Sequence, residues 1–242
     1  MAQHPNPLDK YRWYLDTLGM RTALTRADRQ ARTREELVDA ADRLFTTNGF
    51  HATSVDAVAD AAGYTKGAVY SNFSSKEDLF FAVYERRVDR RVEEMEETLT
   101  AGESVYEGME RLIVDLEHRQ DDGWLAVFFE FWAHVLRHPE LRERFAEEHR
   151  RGVEPLARAI QRMADERGEE VPEEPAKLAT ARLAMLTGLQ LERMTQPDLV
   201  DEGLGVRMLR LAVNEGGLDG LPDEAPSGLR ARRRPKQGAR RP

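Results

Sequence analysis

Residues 53–76 read TSVDAVADAAGYTKGAVYSNFSSK, and this stretch decides the fold. Its first half predicts a short helix with one buried face, because apolar residues recur at steps of three and four: Val55, Val58, Ala59 and Ala62. Gly63 can end that helix in a left-handed conformation. Thr65 can cap a second short helix, which begins at Lys66. Two short helices joined by a glycine turn predict a helix-turn-helix, whose second helix normally reads the major groove of DNA.

Helix caps on both sides of the motif support this interpretation. Thr53 or Ser54 can start the first helix, and Ser74 or Ser75, with an acidic residue three positions later, forms a capping box for a third. Lys66 and Lys76 each lie in the first turn of a helix, where the helix dipole disfavours a cation. A phosphate bound there would remove the conflict, so both lysines are candidate DNA contacts.

The block from Arg32 to Arg87 resembles the N-terminal domain of TetR-family transcriptional regulators. The matching segments, in this order, are 34–45 (REELVDAADRLF), 48–54 (NGFHATS), 65–73 (TKGAVYSNF) and 76–79 (KEDL). The resemblance covers about a quarter of the chain strongly, and the ordered combination makes it specific. It implies an all-α fold, a three-helix DNA-binding domain followed by a larger helical domain for ligand binding and dimerisation.

The resemblance also implies which residues meet DNA. Positions matching Thr65 and Lys66 face bases or phosphates, and those matching Tyr70 and Lys76 touch the backbone. The chain departs from the family at Ser71 and Asn72, where an aromatic residue and a histidine are common. The full set of candidate DNA contacts is Thr53, Ser54, Thr65, Lys66, Gly67, Tyr70, Ser71, Asn72 and Lys76.

The chain divides into four segments by composition and pattern: a basic extension (1–31), the helix-turn-helix domain (32–76), a helical domain (77–216) and a basic tail (217–242). We expect the first helix to open at Thr33, because Thr33 and Glu36 form a capping box. Further helices are expected at 76–97, 104–119, 124–137, 140–166, 176–195 and 201–215, and no segment shows the alternation of a strand. The tail is rich in glycine, proline and arginine, which is typical of disorder.

Net charge is −8, but basic residues are unevenly distributed. Residues 10–34 hold seven basic and two acidic side chains, and residues 225–242 hold seven basic and none, so positions 1–224 carry −15. The motif block 32–76 carries −1, so we expect the basic arm to help it hold DNA. The tail is a non-specific DNA tether or a solubilising end.

Several classes of protein are disfavoured by composition. The chain has no cysteine, no apolar run near the eighteen residues of a membrane span and no signal-peptide core, so we expect a cytoplasmic location without membrane contact. HExxH, GxSxG, phosphate-loop and dinucleotide motifs are absent from the sequence, so we expect no catalytic site, cofactor or metal.

An aromatic helix at 124–137 is apolar on too many faces for one-sided packing, which predicts either a cavity or ordinary core. In the family this region helps line a ligand pocket. The candidate pocket residues are Trp124, Phe128, Phe131, Trp132, Met163, Met185 and Leu189. Glu130, His134 and His138 recur every four residues on the same helix, which leaves a metal site as an alternative.

Helix 176–195 carries small residues on one stripe, which lets another helix approach closely. With the last helix it predicts a four-helix dimer interface, as the resemblance also implies. The candidate interface residues are Ala181, Ala184, Gly188, Leu191, Val206 and Leu209.

The sequence therefore predicts a homodimeric repressor that binds a palindromic DNA operator and leaves it when a small, largely apolar effector binds. Two alternatives stay open: a constitutive DNA-binding dimer without an effector, and a helical metal-binding protein or enzyme.

Overall fold

The computed structural model describes residues 25–101, 104–118, 123–171, 173–201 and 203–213. These residues form helices and connecting turns, with no strand among them, so the predicted all-α fold is confirmed. In chain order the α-helices are α1 (Arg26–Asn48), α2 (Val55–Ala62), α3 (Lys66–Tyr70), α4 (Lys76–Thr100), α5 (Val105–His118), α6 (Trp124–Arg137), α7 (Arg142–Arg167), α8 (Pro175–Thr195) and α9 (Leu204–Val213), with a 3-10 turn at Pro139–Leu141.

The first helix begins seven residues earlier than the sequence predicted. Thr25 caps α1: its hydroxyl accepts from the Asp28 amide (3.1 Å), and the Asp28 carboxylate accepts from the Thr25 amide (3.0 Å). The predicted start at Thr33 is wrong, because the chain uses the capping box at Thr25 and Asp28, and the Thr33 hydroxyl donates to Tyr64 Oη (3.4 Å) instead. Residues 26–31, assigned to the extension, are helical. The rest of the extension (1–24) and the tail (217–242) lie outside the described residues.

The helix-turn-helix forms with the caps that local chemistry predicts. Ser54 caps α2 by accepting from the Ala57 amide, and Gly63 ends α2 with a φ of 74°, in the left-handed region. Thr65 caps α3 by accepting from the Ala68 amide. At the start of α4, Ser75 accepts from the Asp78 amide (3.1 Å).

Contacts divide the chain into two units, and the division differs from the predicted domain boundary at residue 76. The N-terminal unit comprises residues 25–87 and 123–145, so it contains α6 as well as α1, α2 and α3. The C-terminal unit comprises residues 88–118 and 146–213. Helix α4 contributes its first twelve residues to one unit and its last thirteen to the other.

Aromatic side chains dominate the core of the N-terminal unit. Phe45, Phe50, Phe80 and Phe131 are fully buried. The rings of Phe80 and Phe131 stack with centroids 3.9 Å apart, and the Phe50 ring meets Phe131 edge-on at 4.9 Å. This ring cluster fixes α6 against the helices that carry the helix-turn-helix.

Aliphatic residues and methionines form the core of the C-terminal unit. Its buried members are Met95, Leu99, Val105, Met109, Leu112, Ile113, Val153, Leu156, Ala159, Ile160, Met163, Ala179 and Val206. Gly108 lets α5 approach the end of α4 closely, since a Cβ at position 108 would lie 2.7 Å from the Leu99 carbonyl oxygen. Arg151 pairs with Asp89, and Arg158 with Glu96, across the surface of α4 and α7.

Candidate nucleic-acid interface

Six of the nine candidate DNA contacts are exposed residues at the start of α2, at the cap of α3, in α3 or directly after it. They are Ser54, Thr65, Lys66, Gly67, Tyr70 and Ser71. The Tyr70 side chain is prominent: the residue is 50% exposed although tyrosine is large and mostly apolar. Opposite it, Val69 and Phe73 are buried and anchor the motif in the core. We call these six residues the reading surface.

Lys66 is held within the reading surface by an ion pair. Its ammonium lies 2.9 Å from the Asp56 carboxylate, and both side chains are more than half exposed. The hydrogen bond to Asp56 raises the pKa of Lys66, so the lysine is fully cationic at neutral pH. A phosphate at this place would compete with Asp56 for the same ammonium.

Thr53 does not belong to the reading surface, which corrects its assignment as a DNA contact. It is 2% exposed, and its hydroxyl donates to the carbonyls of Gly49 (2.8 Å) and Leu44 (3.1 Å). The side chain therefore ties the start of α2 to the end of α1.

Lys76 was also predicted to contact DNA, and the structure gives its ammonium another role. Its Nζ donates to the carbonyls of Phe50 (3.0 Å), Thr53 (3.3 Å) and His51 (3.4 Å), and lies 4.4 Å from the centre of the Phe50 ring. Carbonyl oxygens and a ring face thus offset the unfavourable helix dipole from inside the protein.

Asn72 is half-buried, and its amide is already engaged. Its Nδ2 donates to the Ala68 carbonyl at 2.8 Å, which closes the end of α3. Arg34 donates to the Asn72 carbonyl (3.4 Å) and lies over the Phe73 ring at 4.4 Å. Asn72 therefore helps to close the end of α3 beside Ser71 with one of its two amide N–H groups, and its contact with DNA stays a prediction.

Glu130 is the functional residue that the sequence interpretation placed wrongly. Its carboxylate accepts from the amides of Phe50 and His51, each at 2.8 Å. A Cβ at Gly49, whose φ is 89°, would lie 2.7 Å from the same carboxylate. We call residues 49–53 the clamped loop, because Glu130 holds its amides while Lys76 holds its carbonyls.

The metal alternative loses its ligand set in this arrangement. Glu130 is committed to the clamped loop, and the rings of His134 and His138 stack on each other with centroids 4.0 Å apart. Burial, together with the neighbouring His138, lowers the pKa of His134, so this ring is neutral at pH 7. Within the described ranges, no three acidic, histidine or cysteine side chains form a group that could hold a metal.

The candidate pocket residues do not assemble in one unit. Trp124, Phe128, Phe131 and Trp132 belong to the N-terminal unit, whereas Met163, Met185 and Leu189 belong to the C-terminal unit. Phe131 and Met163 are buried in the cores of their respective units. Trp124 stacks on Phe80, with the Arg87 guanidinium 4.2 Å from the centre of its ring.

A small cleft does lie along α8 in the C-terminal unit. Its volume is about 40 Å³, and Leu189 is the candidate pocket residue that it includes. The other lining residues are Arg91, Leu183, Leu186, Thr187, Gln190 and Arg193.

The candidate dimer residues on α8 present small side chains outward. Ala181 and Ala184 are exposed, and a Cβ at Gly188 would meet open space. Leu191 is half-buried. Val206 is corrected: it is 6% exposed and packs in the core of its own chain. The side chain of Leu209 lies outside the described part.

No helix in the described part of the chain is long and apolar enough to span a membrane.

Two family models match successive parts of the chain. The family model "Bacterial regulatory proteins, tetR family" matches residues 37–83, and "BetI-type transcriptional repressor, C-terminal" matches residues 108–215. The transcriptional activator FasR of Mycolicibacterium smegmatis is 41% identical over 66 residues, which are 27% of this chain and only 30% of FasR.

Two further similarities extend over most of the chain. The transcriptional regulator UidR of Escherichia coli K12 is 28% identical over 186 residues, which are 77% of this chain and 92% of UidR. A putative transcriptional regulator from Saccharomonospora viridis, solved in complex with choline, has the same fold with a TM-score of 0.61 at 20% identity; the match covers 77% of this chain and 97% of that one. With both family models in the expected order along a helix-turn-helix fold, the chain belongs to the TetR family of transcriptional regulators.

Proposed function

We propose that the protein is a homodimeric repressor that binds a palindromic operator through its reading surface and leaves it when a small molecule binds the helical domain. The observation that carries this proposal is the exposed face of α2, the turn and α3, with Tyr70 half exposed on a rigidly anchored helix. Exposed polar and aromatic groups on the second helix of such a motif fit the edges and backbone of the major groove.

The clamped loop gives a route by which α4 can control the reading surface. Lys76 is the first residue of α4 and holds three carbonyls of the loop that leads into α2. A shift of α4 would therefore move or release that loop, and with it the start of α2. An effector can drive such a shift only if its affinity differs between the two arrangements.

Dimerisation is supported by the outer face of α8. Ala181, Ala184 and Gly188 share one face at steps of three and four; the two alanines are exposed, and a Cβ at Gly188 would meet no atom of the described residues within 4 Å. Met194 near the end of α8 (52% exposed) and Leu199 after it (73% exposed) are further exposed apolar residues. A two-fold dimer would place two reading surfaces on half-sites about one helical turn apart.

Repression and release by an effector are supported by the likeness of the C-terminal region to BetI-type repressors. The choline complex of the Saccharomonospora viridis regulator, which has the same fold, supports a small organic molecule as the ligand class.

The proposal can be tested with full-length protein and labelled DNA from upstream of its own gene, against a scrambled duplex of equal composition. We expect the native duplex to bind about 1,000-fold more tightly at physiological salt. Tyr70→Ala and Lys66→Ala should each weaken specific binding about tenfold or more, with the dimer intact. Lys177→Ala is the matched control, since Lys177 is also an exposed, ion-paired lysine but lies on α8.

Equal binding of both duplexes by the wild-type protein would overturn the proposal. If the protein binds its operator specifically and no small molecule reverses that binding, the DNA-binding part of the proposal stands and the effector part is refuted.

A further inference from the structure

The second helix of the motif, α3, is held in the fold by few of its own side chains. It is five residues long, and within this fully described helix Val69 is the one buried residue. A helix of this length has little stability of its own, because one turn does not repay the cost of nucleation. A single buried side chain fixes where α3 lies but not the direction in which it points. Contacts at the two ends of α3 therefore set its direction.

The hydroxyl of Tyr64 holds the N-terminal end. Tyr64 lies in the turn directly before the cap residue Thr65 and is half-buried. Its Oη donates to a carboxylate oxygen of Glu36 on α1, 28 residues earlier in the chain, and accepts from the Thr33 hydroxyl (3.4 Å). The residue that leads into α3 is thus anchored to the long first helix.

Glu36 is well suited to hold that hydroxyl. Its other carboxylate oxygen accepts from Arg32 Nε at 2.9 Å. The hydrogen bond from Tyr64, and after it that from Arg32, lowers the pKa of Glu36, so the carboxylate is ionised at neutral pH. A hydrogen bond to an ionised acceptor is about twice as strong as one between neutral groups, and a carboxylate held by two donors has a fixed orientation.

Arg34, also on α1, contacts the chain at the other end of α3. Its guanidinium lies 4.4 Å from the centre of the buried Phe73 ring and donates to the Asn72 carbonyl at 3.4 Å. Two residues of α1 therefore contact the chain on both sides of α3. The bond at Asn72 is long, whereas the bond between Tyr64 and Glu36 is charge-assisted, so the N-terminal contact is the stronger of the two.

We propose that Tyr64 is a positioning residue for DNA recognition, whose hydroxyl sets the orientation of α3 through its bond to Glu36. That orientation decides the direction in which Lys66 and Tyr70 meet the major groove. The proposal rests on the function given above, because it concerns how the reading surface is aimed. Groups that read base edges must be held within about 10–20° of the productive geometry, whereas phosphate contacts carry no sequence information.

The test measures the affinity of the full-length protein for DNA from upstream of its own gene and for a scrambled duplex, and compares the ratio of the two. Tyr64→Phe keeps the ring and removes the hydroxyl. It should lower the ratio about tenfold and change the affinity for the scrambled duplex less than about twofold. Glu36→Ala should lower the ratio equally. The ratio is the right quantity, because Glu36→Ala also frees Arg32, which strengthens binding to both duplexes alike.

Three further variants show whether the two residues act as one unit. The double variant of Tyr64→Phe and Glu36→Ala should lower the ratio no further than either change alone. Glu36→Gln keeps an acceptor oxygen at the same length and should retain the wild-type ratio within about threefold. Asp39→Ala is the matched control on α1, since the exposed Asp39 accepts from Arg86 of α4 instead; it should leave the ratio unchanged.

A merely structural role predicts other results. All ratios are measured well below the melting temperature of every variant, where a weaker but folded protein would keep its preference. An unchanged ratio in Tyr64→Phe would overturn the proposal. An equal loss in Asp39→Ala, or losses at Tyr64 and Glu36 that add in the double variant, would also overturn it.

Hydrogen exchange of the protein without DNA gives a readout that does not depend on the proposed function. The amides of Ser71 and Phe73 donate to carbonyls within α3, at 3.0 and 2.9 Å. Tyr64→Phe should speed their exchange about threefold or more and leave the amides of 37–45 in α1 unchanged. Equal exchange in Tyr64→Phe and wild type would overturn the hold of Tyr64 on α3.

The two proposals fail separately. If the wild-type protein prefers its own DNA and Tyr64→Phe keeps that preference, the positioning role alone is refuted. If the wild-type protein binds both duplexes equally, the repressor is refuted, and hydrogen exchange then decides whether Tyr64 orients α3.

Discussion

The clamped loop and helix α8 treat their exposed groups in opposite ways. In the loop, the amides of Phe50 and His51 bind Glu130, and three carbonyls bind Lys76. On α8, Ala181 and Ala184 are exposed and a Cβ at Gly188 would meet open space. The N-terminal unit satisfies the polar groups of the clamped loop with its own side chains, whereas the outer face of α8 is uncovered in the described part of the chain.

This difference assigns separate tasks to the two regions. The clamped loop gives the reading surface a defined shape before DNA arrives, so little ordering is needed on binding. In the proposed dimer, the outer face of α8 is covered only when a second copy binds.

The largest effect is expected from a substitution on the exposed face of α8. Ala184→Glu should convert the dimer to a monomer, because two carboxylates would meet where small side chains allow close approach. Loss of the second half-site should then lower operator affinity about 100-fold or more. Light scattering after gel filtration measures the first effect, and fluorescence anisotropy the second.

Ala146→Glu places the same charge at an exposed alanine on α7 and should leave both properties unchanged. If Ala184→Glu remained a dimer, the interface on the outer face of α8 would be wrong.

The second-largest effect is expected from removing the side chain that holds the clamped loop. Glu130→Ala should lower the free energy of unfolding by about 1–2 kcal/mol, because the part-buried amide of Phe50 and the exposed amide of His51 lose a charged acceptor. It should also weaken operator binding about tenfold, although Glu130 lies outside the reading surface. Urea unfolding followed by tryptophan fluorescence reports on this unit directly, since Trp124 and Trp132 lie on the same helix as Glu130.

Glu143→Ala, an exposed glutamate on α7, is the control and should change neither quantity. Unchanged stability in Glu130→Ala would mean that the clamp contributes nothing to the fold.

Alanine substitutions at two glycines, each made with and without the Glu130 side chain, test the same contact. Gly49 and Gly63 both have positive φ, at 89° and 74°, but a Cβ at Gly49 meets Glu130 and one at Gly63 meets nothing within 4 Å. Alanine should therefore cost about 1 kcal/mol at Gly63 and about 2 kcal/mol at Gly49. In a Glu130→Ala background the excess at Gly49 should vanish. An excess that persists would trace to the backbone alone.

The smallest effect concerns the reading surface itself. Asp56→Asn should strengthen operator binding about threefold, since it frees the Lys66 ammonium and removes a negative charge that faces DNA. Asp60→Asn removes an exposed charge of α2 without that ion pair and is the matched control. Weaker binding by Asp56→Asn would show that Asp56 positions Lys66 productively.

The sequence predicted those parts of the site that depend on near neighbours. Ser54, Gly63 and Thr65 act on groups within four residues, so their roles could be assigned from spacing alone. The start of α1 was misplaced because Thr25 and Thr33 open equally good capping boxes, and the sequence does not say which one the chain uses.

Two of the remaining errors involve partners distant in sequence. Lys76 binds carbonyls more than twenty residues earlier, and Glu130 binds amides about eighty residues earlier. The spacing of four from Glu130 to His134 suggested metal ligands, because it places both residues on one face of a helix. Spacing does not show which other residues pack against that face.

The central claim, that two reading surfaces in one dimer recognise DNA, is tested most directly by selecting binding sites from a random pool of 30-base-pair duplexes. The wild-type protein should enrich a palindrome with half-sites about one helical turn apart. Ala184→Glu should enrich at most a single half-site, and Tyr70→Ala should enrich neither. Enrichment of no motif by the wild-type protein, or of one unpaired motif by the intact dimer, would contradict the account.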